Sequence, residues 1–260
     1  MDQPRNPARA RLAQGSLALG MGVRFARTAE IARLMRTAGY DWLFIDLEHG
    51  PGSLETTAQI SVAALDAGIA PLIRVPHGQF DMATRALDAG GWGIVMPHVD
   101  NAEEARALVA HLKYPPLGHR SIVGGLPHYG YGGAKASEVA TTLNAEMLIV
   151  AMVETPNAIA NADSIAAVPG VDVLLIGTND LALEMGIAGE LGHDRVAAAY
   201  KTVVAACAEH KKWPGMGGVG DLELIRRYVG LGMRFILGGN DTNILAQASA
   251  ERAKALRGLV

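Results

Sequence analysis

Apolar residues in this chain fall into short unbroken runs, separated by longer stretches in which they recur every three or four positions. The runs are Leu17–Met21, Trp42–Ile45, Pro71–Val75, Gly93–Met96, Met147–Val153, Val171–Ile176, Pro214–Gly218 and Arg234–Leu237. A run with no polar face is what a strand covered on both sides requires. Helical spacing marks Thr28–Ala38, Leu54–Ala67, Asp81–Ala89, Ala102–Leu112, Pro156–Ala167, Arg195–His210, Asp221–Leu231 and Thr242–Arg257. Ser53 stands as an N-cap, Gly39 and Gly68 as helix stops, and Asp100 or Asn101 as a further cap. The alternation predicts a parallel sheet. Eight such units in 260 residues, with no linker, predict a single α/β domain, a (β/α)8 TIM barrel, over an open doubly wound sheet. Tyr114–Leu143 breaks the rhythm with prolines and glycines. It reads as a long functional loop, a wall for the far end of a substrate site.

Composition narrows the function. The net charge is −3 and no block of like charges occurs, which argues against nucleic acid or a membrane surface as partner. The single cysteine, Cys207, excludes an internal disulfide and a cysteine metal cluster. No apolar stretch reaches membrane-span length and no signal-peptide core is visible, so the chain reads as soluble and cytoplasmic. None of the six lysines falls in a predicted strand or at its C-terminal end, which disfavours a Schiff base. The Gly215–Gly220 run lacks the Lys-Ser/Thr of a phosphate loop.

A barrel gathers the ends of its strands on one rim, where barrel enzymes do their chemistry. The groups delivered there are Asp46, Glu48 and His49, then Arg74, His98, Glu154 and Asp180. Glu154 and Asp180 follow neighbouring strands, and two carboxylates so placed repel unless a cation lies between them. Hard oxygen donors suit Mg²⁺, Mn²⁺ or a similar ion. Alternatively Asp180 caps the next helix and Glu154 pairs with an arginine. An Asp46 carboxylate bonded to one nitrogen of His49 would fix the tautomer of a base; a structural histidine is the other reading. Glu48 can orient its neighbours or take part directly. Arg74 can grip a substrate carboxylate in a fork, or pair with a rim acid.

Five stretches carry a family resemblance: Asp46-Leu-Glu-His-Gly-Pro51, Ile73-Arg-Val-Pro76, Lys113-Tyr-Pro-Pro-Leu-Gly-His-Arg120, Val153-Glu-Thr155 and Ile176-Gly-Thr-Asn-Asp-Leu-Ala182. Together they resemble the class II, metal-dependent pyruvate aldolases of the HpcH/HpaI aldolase family. The resemblance implies reversible cleavage of 4-hydroxy-2-oxo acids to pyruvate, or a related 2-oxo acid, and an aldehyde. It implies a divalent metal ion (Mg²⁺, Mn²⁺ or Co²⁺) on Glu154 and Asp180, His49 as base with Asp46 in support, and Arg74 stabilising the enolate. The pyruvyl carboxylate would lie on the backbone at Gly177 and Thr178. A homo-oligomer, a hexamer of dimers exchanging the C-terminal helix, is also implied. The chain departs from better-known members at Met152, where they carry Gln, and at Thr178-Asn179, where they carry Pro-Ala or Pro-Ser. Decarboxylation of oxaloacetate-like acids at the same site, and metal-dependent 2-oxo acid binding without catalysis, remain the alternatives.

Overall fold

The apolar runs pair in sequence order, and the eighth closes on the first, so every strand is parallel to both neighbours. In the computed structural model, which describes residues 3–259, the strands are β1 Ala18–Val23, β2 Trp42–Asp46, β3 Ala70–Arg74, β4 Gly93–Met96, β5 Leu148–Val153, β6 Val173–Gly177, β7 Trp213–Gly217 and β8 Phe235–Asn240. The predicted (β/α)8 barrel is therefore the observed fold.

Period-two alternation stacks the inward side chains in layers. Low in the barrel, Trp42 and Phe235 stack with ring centroids 4.0 Å apart. A Cβ at Gly20 would collide with the Trp42 indole, so β1 must be thin there. One step up, Phe44, Met152, Leu175 and Leu237 form an apolar floor. The next inward positions on those strands, or just past them, are Asp46, Glu154, Gly177 and Gly239. Polar groups thus appear only where the closed core ends.

The helices are α1 Pro7–Ala13, α2 Glu30–Thr37, α3 Leu54–Ala67, α4 Phe80–Asp88, α5 Ala102–Leu112, α6 Ala136–Glu146, α7 Pro156–Ala160, α8 Ala162–Ala166, α9 Thr178–Glu184, α10 Asp194–Glu209, α11 Leu222–Leu231 and α12 Asp241–Arg257. Ser53 caps α3, its Oγ accepting the Thr56 N–H at 3.1 Å, and Gly68 ends it at φ 71°. Asn101, rather than Asp100, caps α5.

Four features depart from the sequence reading. Helix α1 has little periodicity and is set by Asn6, which caps it and donates Nδ2 to the carbonyls of Trp92 and Glu146. The stretch expected as one helix over 156–167 is two, broken at Asn161, whose Nδ2 donates to the Asp100 carbonyl at 2.9 Å. Helix α6 begins inside the predicted loop and runs past its end; Val139 and Leu143 are its only large apolar residues, too few to register as a stripe. The remaining irregular segment, 113–135, lies at the N-terminal end of the barrel. Helix α5 carries the chain back from the rim, so whatever follows it packs underneath. There the Lys113 Nζ donates to the Asn144 and Met147 carbonyls, and Arg120 pairs with Asp88 at 2.6 Å. The segment does not line the rim cavity of its own barrel, which corrects the expected substrate wall.

Candidate active site

Strand β2 ends on Asp46, whose carboxylate has no exposed side-chain surface. Strand β3 runs beside it in register, Asp46 opposite Arg74. The two form a fork: Arg74 Nε donates to Asp46 Oδ1 at 3.0 Å and Nη2 to Oδ2 at 2.7 Å. Asp46 Oδ1 also accepts the backbone N–H groups of Glu48 and His49, each at 3.1 Å, which folds the chain sharply after the strand. Burial acts to raise the Asp46 pKa. The hydrogen bonds and charge of Arg74, with the His49 N–H and Arg24, outweigh it and hold the carboxyl below its ordinary value. Arg74 in turn reaches Glu48 through Nη1 at 2.9 Å and lies over the Phe44 ring, 4.9 Å from its centroid.

This geometry revises the expected Asp46–His49 pair. Asp46 holds the backbone of His49, not its ring. The imidazole is 55% exposed, and its Nε2 faces Glu48 Oε2 at 3.7 Å. The physical reason is competition: a guanidinium fork from the neighbouring strand satisfies a buried carboxylate better than a single imidazole nitrogen.

Glu154 directly follows β5 in a buried position, and a Cβ at Gly177 on β6 would strike its carboxyl. Glycine at 177 is therefore what lets Glu154 lie across the neighbouring strand. Its Oε2 accepts the His98 N–H at 3.0 Å, with His98 Nδ1 at 3.5 Å. Burial raises the Glu154 pKa above the ordinary carboxylate range, and the charge of Asp180 adds to that; the His98 N–H bond works against it. Its only ion-pair partner among the described residues is thus a half-exposed histidine. A divalent cation fits this donor set: two oxygen carboxylates on adjacent units, one of them short of positive charge. Among the described residues no group of three or more His, Cys, Asp or Glu is arranged to hold a metal ion. Such a sparse set suits an ion that keeps water and substrate oxygens in its shell.

Thr178 is fully buried, its Oγ1 donating to the Gly217 carbonyl at 2.7 Å with the Tyr200 hydroxyl at the same distance. Asn179 Nδ2 donates to the Gly218 carbonyl at 3.0 Å. These two residues, one of the sequence departures, tie the start of α9 to the end of β7. What remains of Thr178 for a ligand is its backbone.

These groups surround an open cavity of about 390 Å³, lined among others by Asp46, His49, Arg74, Met152, Gly177, Thr178 and Asp180. Its size is in the range of small-molecule sites. Glu48 and Glu154 stand behind that lining, in contact with Arg74 and Gly177. Cys207 is buried with its thiol pushed up to about 12 by burial, which removes it as a nucleophile.

Sequence reasoning missed Arg24. It follows β1, lines the cavity and places Nε 3.1 Å from Asp46 Oδ2. Asn243, in the first turn of α12, also reaches the lining. His98 was legible as a strand-end group, but not its left-handed backbone, φ 52°. That turn is pinned by the Val99 N–H on the Met152 carbonyl and by the bond to Glu154.

The HpcH/HpaI aldolase/citrate lyase family model matches residues 25–248. A 4-hydroxy-4-methyl-2-oxoglutarate aldolase of Hapsidospora irregularis is 39% identical over 93% of this chain and 91% of its own length. A hydroxypyruvate/pyruvate aldolase of Chromohalobacter salexigens is 34% identical over 99% of this chain and 100% of its own. The crystal structure of an HpcH/HpaI aldolase from Desulfitobacterium hafniense superposes with a TM-score of 0.91, covers 96% of each chain and is 28% identical. Barrel, rim carboxylates and these likenesses agree: the chain belongs to the HpcH/HpaI aldolase/citrate lyase family.

Proposed function

We propose that this aldolase forms and cleaves 4-hydroxy-2-oxo acids, with pyruvate or a close 2-oxo acid as the enolising donor, and that the rim residues divide the work as follows. Glu154 and Asp180 hold a divalent cation, Mg²⁺, Mn²⁺ or Co²⁺. When bound, that ion supplies Lewis-acid polarisation of the donor carbonyl. Arg74 presents the remaining edge of its guanidinium to the oxygen on which negative charge develops, and Asp46 and Glu48 fix its plane. His49, exposed and on a turn held by Asp46, is the base that takes the donor methyl proton; in cleavage it takes the 4-hydroxyl proton. Gly177 and Thr178 offer backbone N–H groups at the start of α9 to the donor carboxylate, where the helix has donors to spare.

The observation that carries this reading is the pairing, across β5 and β6, of a buried carboxylate whose pKa is raised with a second carboxylate at the edge of a cavity that also holds Arg74 and His49. A second copy of the chain completes the assembly. No residue of α12 is buried, and Ile244, Leu245 and Leu256 stand exposed on it. An exposed helix of this length that carries three large apolar side chains supports exchange between subunits of a hexamer.

The test is product analysis with 4-hydroxy-2-oxo acids and Mg²⁺ or Mn²⁺. Equimolar pyruvate and a second carbonyl compound support the reading. Release of carbon dioxide from oxaloacetate, with no cleavage of the hydroxy acids, overturns it in favour of a decarboxylase.

A further inference from the structure

We infer that Arg24 sets acceptor specificity: its guanidinium is the seat for a carboxylate on the carbonyl compound that the donor attacks. This rests on the aldolase reading and deepens it. Asp46 lies between two guanidiniums. Its Oδ2 already accepts Arg74 Nη2 at 2.7 Å, and the same oxygen takes Arg24 Nε at 3.1 Å. Glu48, the other nearby anion, is engaged by Arg74 Nη1 at 2.9 Å. One buried carboxylate is therefore shared between two guanidiniums, and Arg24 holds it by a single nitrogen.

The terminal nitrogens of Arg24 are left over. Nη2 reaches only the His49 carbonyl, at a long 3.4 Å, and among the described residues Nη1 has no acceptor. The side chain is 38% exposed and lines the cavity. A planar fork with open donors on a cavity wall is matched to a carboxylate.

The backbone beneath it is fixed. The N–H groups of Arg24, Phe25 and Ala26 all donate to the Asp241 carboxylate, at 3.0, 3.0 and 2.7 Å. Nε is held by Asp46 besides. The fork is therefore preorganised, which lowers the entropy lost when an anion binds. The Asn243 side-chain amide, also on the lining, makes no hydrogen bond within the described residues and can serve the same anion.

Position gives the direction of the reaction. Asp46 bridges Arg74, at the donor end, and Arg24, so an acceptor anchored on Arg24 presents its carbonyl beside the donor. The donor C3 forms a bond to that carbonyl carbon. The carbonyl π pair moves to oxygen, which takes a proton and becomes the 4-hydroxyl. The product is a 4-hydroxy-2-oxo acid with a second carboxylate. The acceptors so selected are 2-oxo acids and aldehyde acids, over neutral aldehydes.

The experiment compares glyoxylate with glycolaldehyde, similar in size and different in charge, as acceptors for pyruvate in wild type, Arg24→Met and Arg24→Lys. Methyl-proton exchange of pyruvate without acceptor is followed in parallel, as a report on the donor half. Wild type is expected to favour glyoxylate in kcat/KM. Arg24→Met is expected to shrink that preference about 10- to 100-fold, mainly through the glyoxylate KM, as loss of a charged hydrogen bond predicts. Arg24→Lys restores part of it. If Arg24→Met slows both acceptors equally, Arg24 only supports Asp46 and the inference is overturned. A wild type that exchanges no pyruvate protons instead defeats the aldolase reading itself.

Discussion

Two arginines of this barrel have nearly the same surroundings and opposite destinies. Arg74 pairs with Asp46 and lies 4.9 Å above the Phe44 ring; Arg120 pairs with Asp88 and lies 4.7 Å above the Tyr114 ring. Both are buried. Arg74 stands at the C-terminal rim and lines a cavity with His49 and Asp180. Arg120 sits under the barrel, its Nη1 closed off by the Met147 sulfur at 3.1 Å. A buried guanidinium with an aspartate partner and an aromatic bed therefore does not by itself define a site. What separates the two is the end of the strand they occupy and whether open volume faces them. Lys113 repeats the lesson: it is buried beside backbone carbonyls at the lower end, so its lowered pKa reflects burial and marks no nucleophile.

Removing each arginine is expected to damage a different property of the enzyme. Arg74→Ala removes the group proposed to stand next to developing charge, and turnover is expected to fall by about 10²–10³. Its stability cost is moderated because Asp46 keeps Arg24 and two backbone N–H groups. Arg120→Ala leaves a cavity at the base, and denaturant unfolding should show a loss of about 3 kcal/mol. Turnover per folded molecule should stay within about threefold, since distant sites act independently. Equal loss of turnover in both variants would erase the distinction.

A smaller effect sharpens the same contrast by pH. His128, near Arg120, has its pKa lowered to about 4, first by burial and then by the charge of Arg120, against the bond it makes to the Gly91 carbonyl. Between that value and the ordinary 6.5, the unfolded chain takes up a proton that the folded chain refuses. The contribution is full above about pH 6.5 and is lost as pH falls toward 4, by up to about 3 kcal/mol. Urea midpoints at pH 7 and 5 should separate in wild type and draw together in His128→Gln.

The barrel was legible because its strands are buried on both faces and leave unbroken apolar runs such as Trp42–Ile45. The rim groups Asp46, Arg74, Glu154 and Asp180 were legible because a charged residue directly after such a run has few structural reasons to be there. The rest depended on contacts distant in sequence. Arg24 follows the least distinct strand, and its placement is fixed by Asp46 and by Asp241, 217 positions away. The 113–135 segment has the composition of a functional loop, but composition does not say which end of the barrel receives it; the direction of α5 does. Asp46 and His49, three positions apart, suggested a dyad, and only the register of β2 against β3 reveals the stronger claim of Arg74 on the same carboxylate.

A rim that abstracts a proton from 2-oxo acids with a divalent cation must exchange the methyl protons of pyruvate without any acceptor present. Proton NMR of pyruvate in deuterated water, with enzyme and no acceptor, tests it most directly. Methyl exchange is expected to disappear when divalent ions are removed by a chelator and to return with added Mg²⁺ or Mn²⁺. Exchange that continues undiminished after their removal would contradict it.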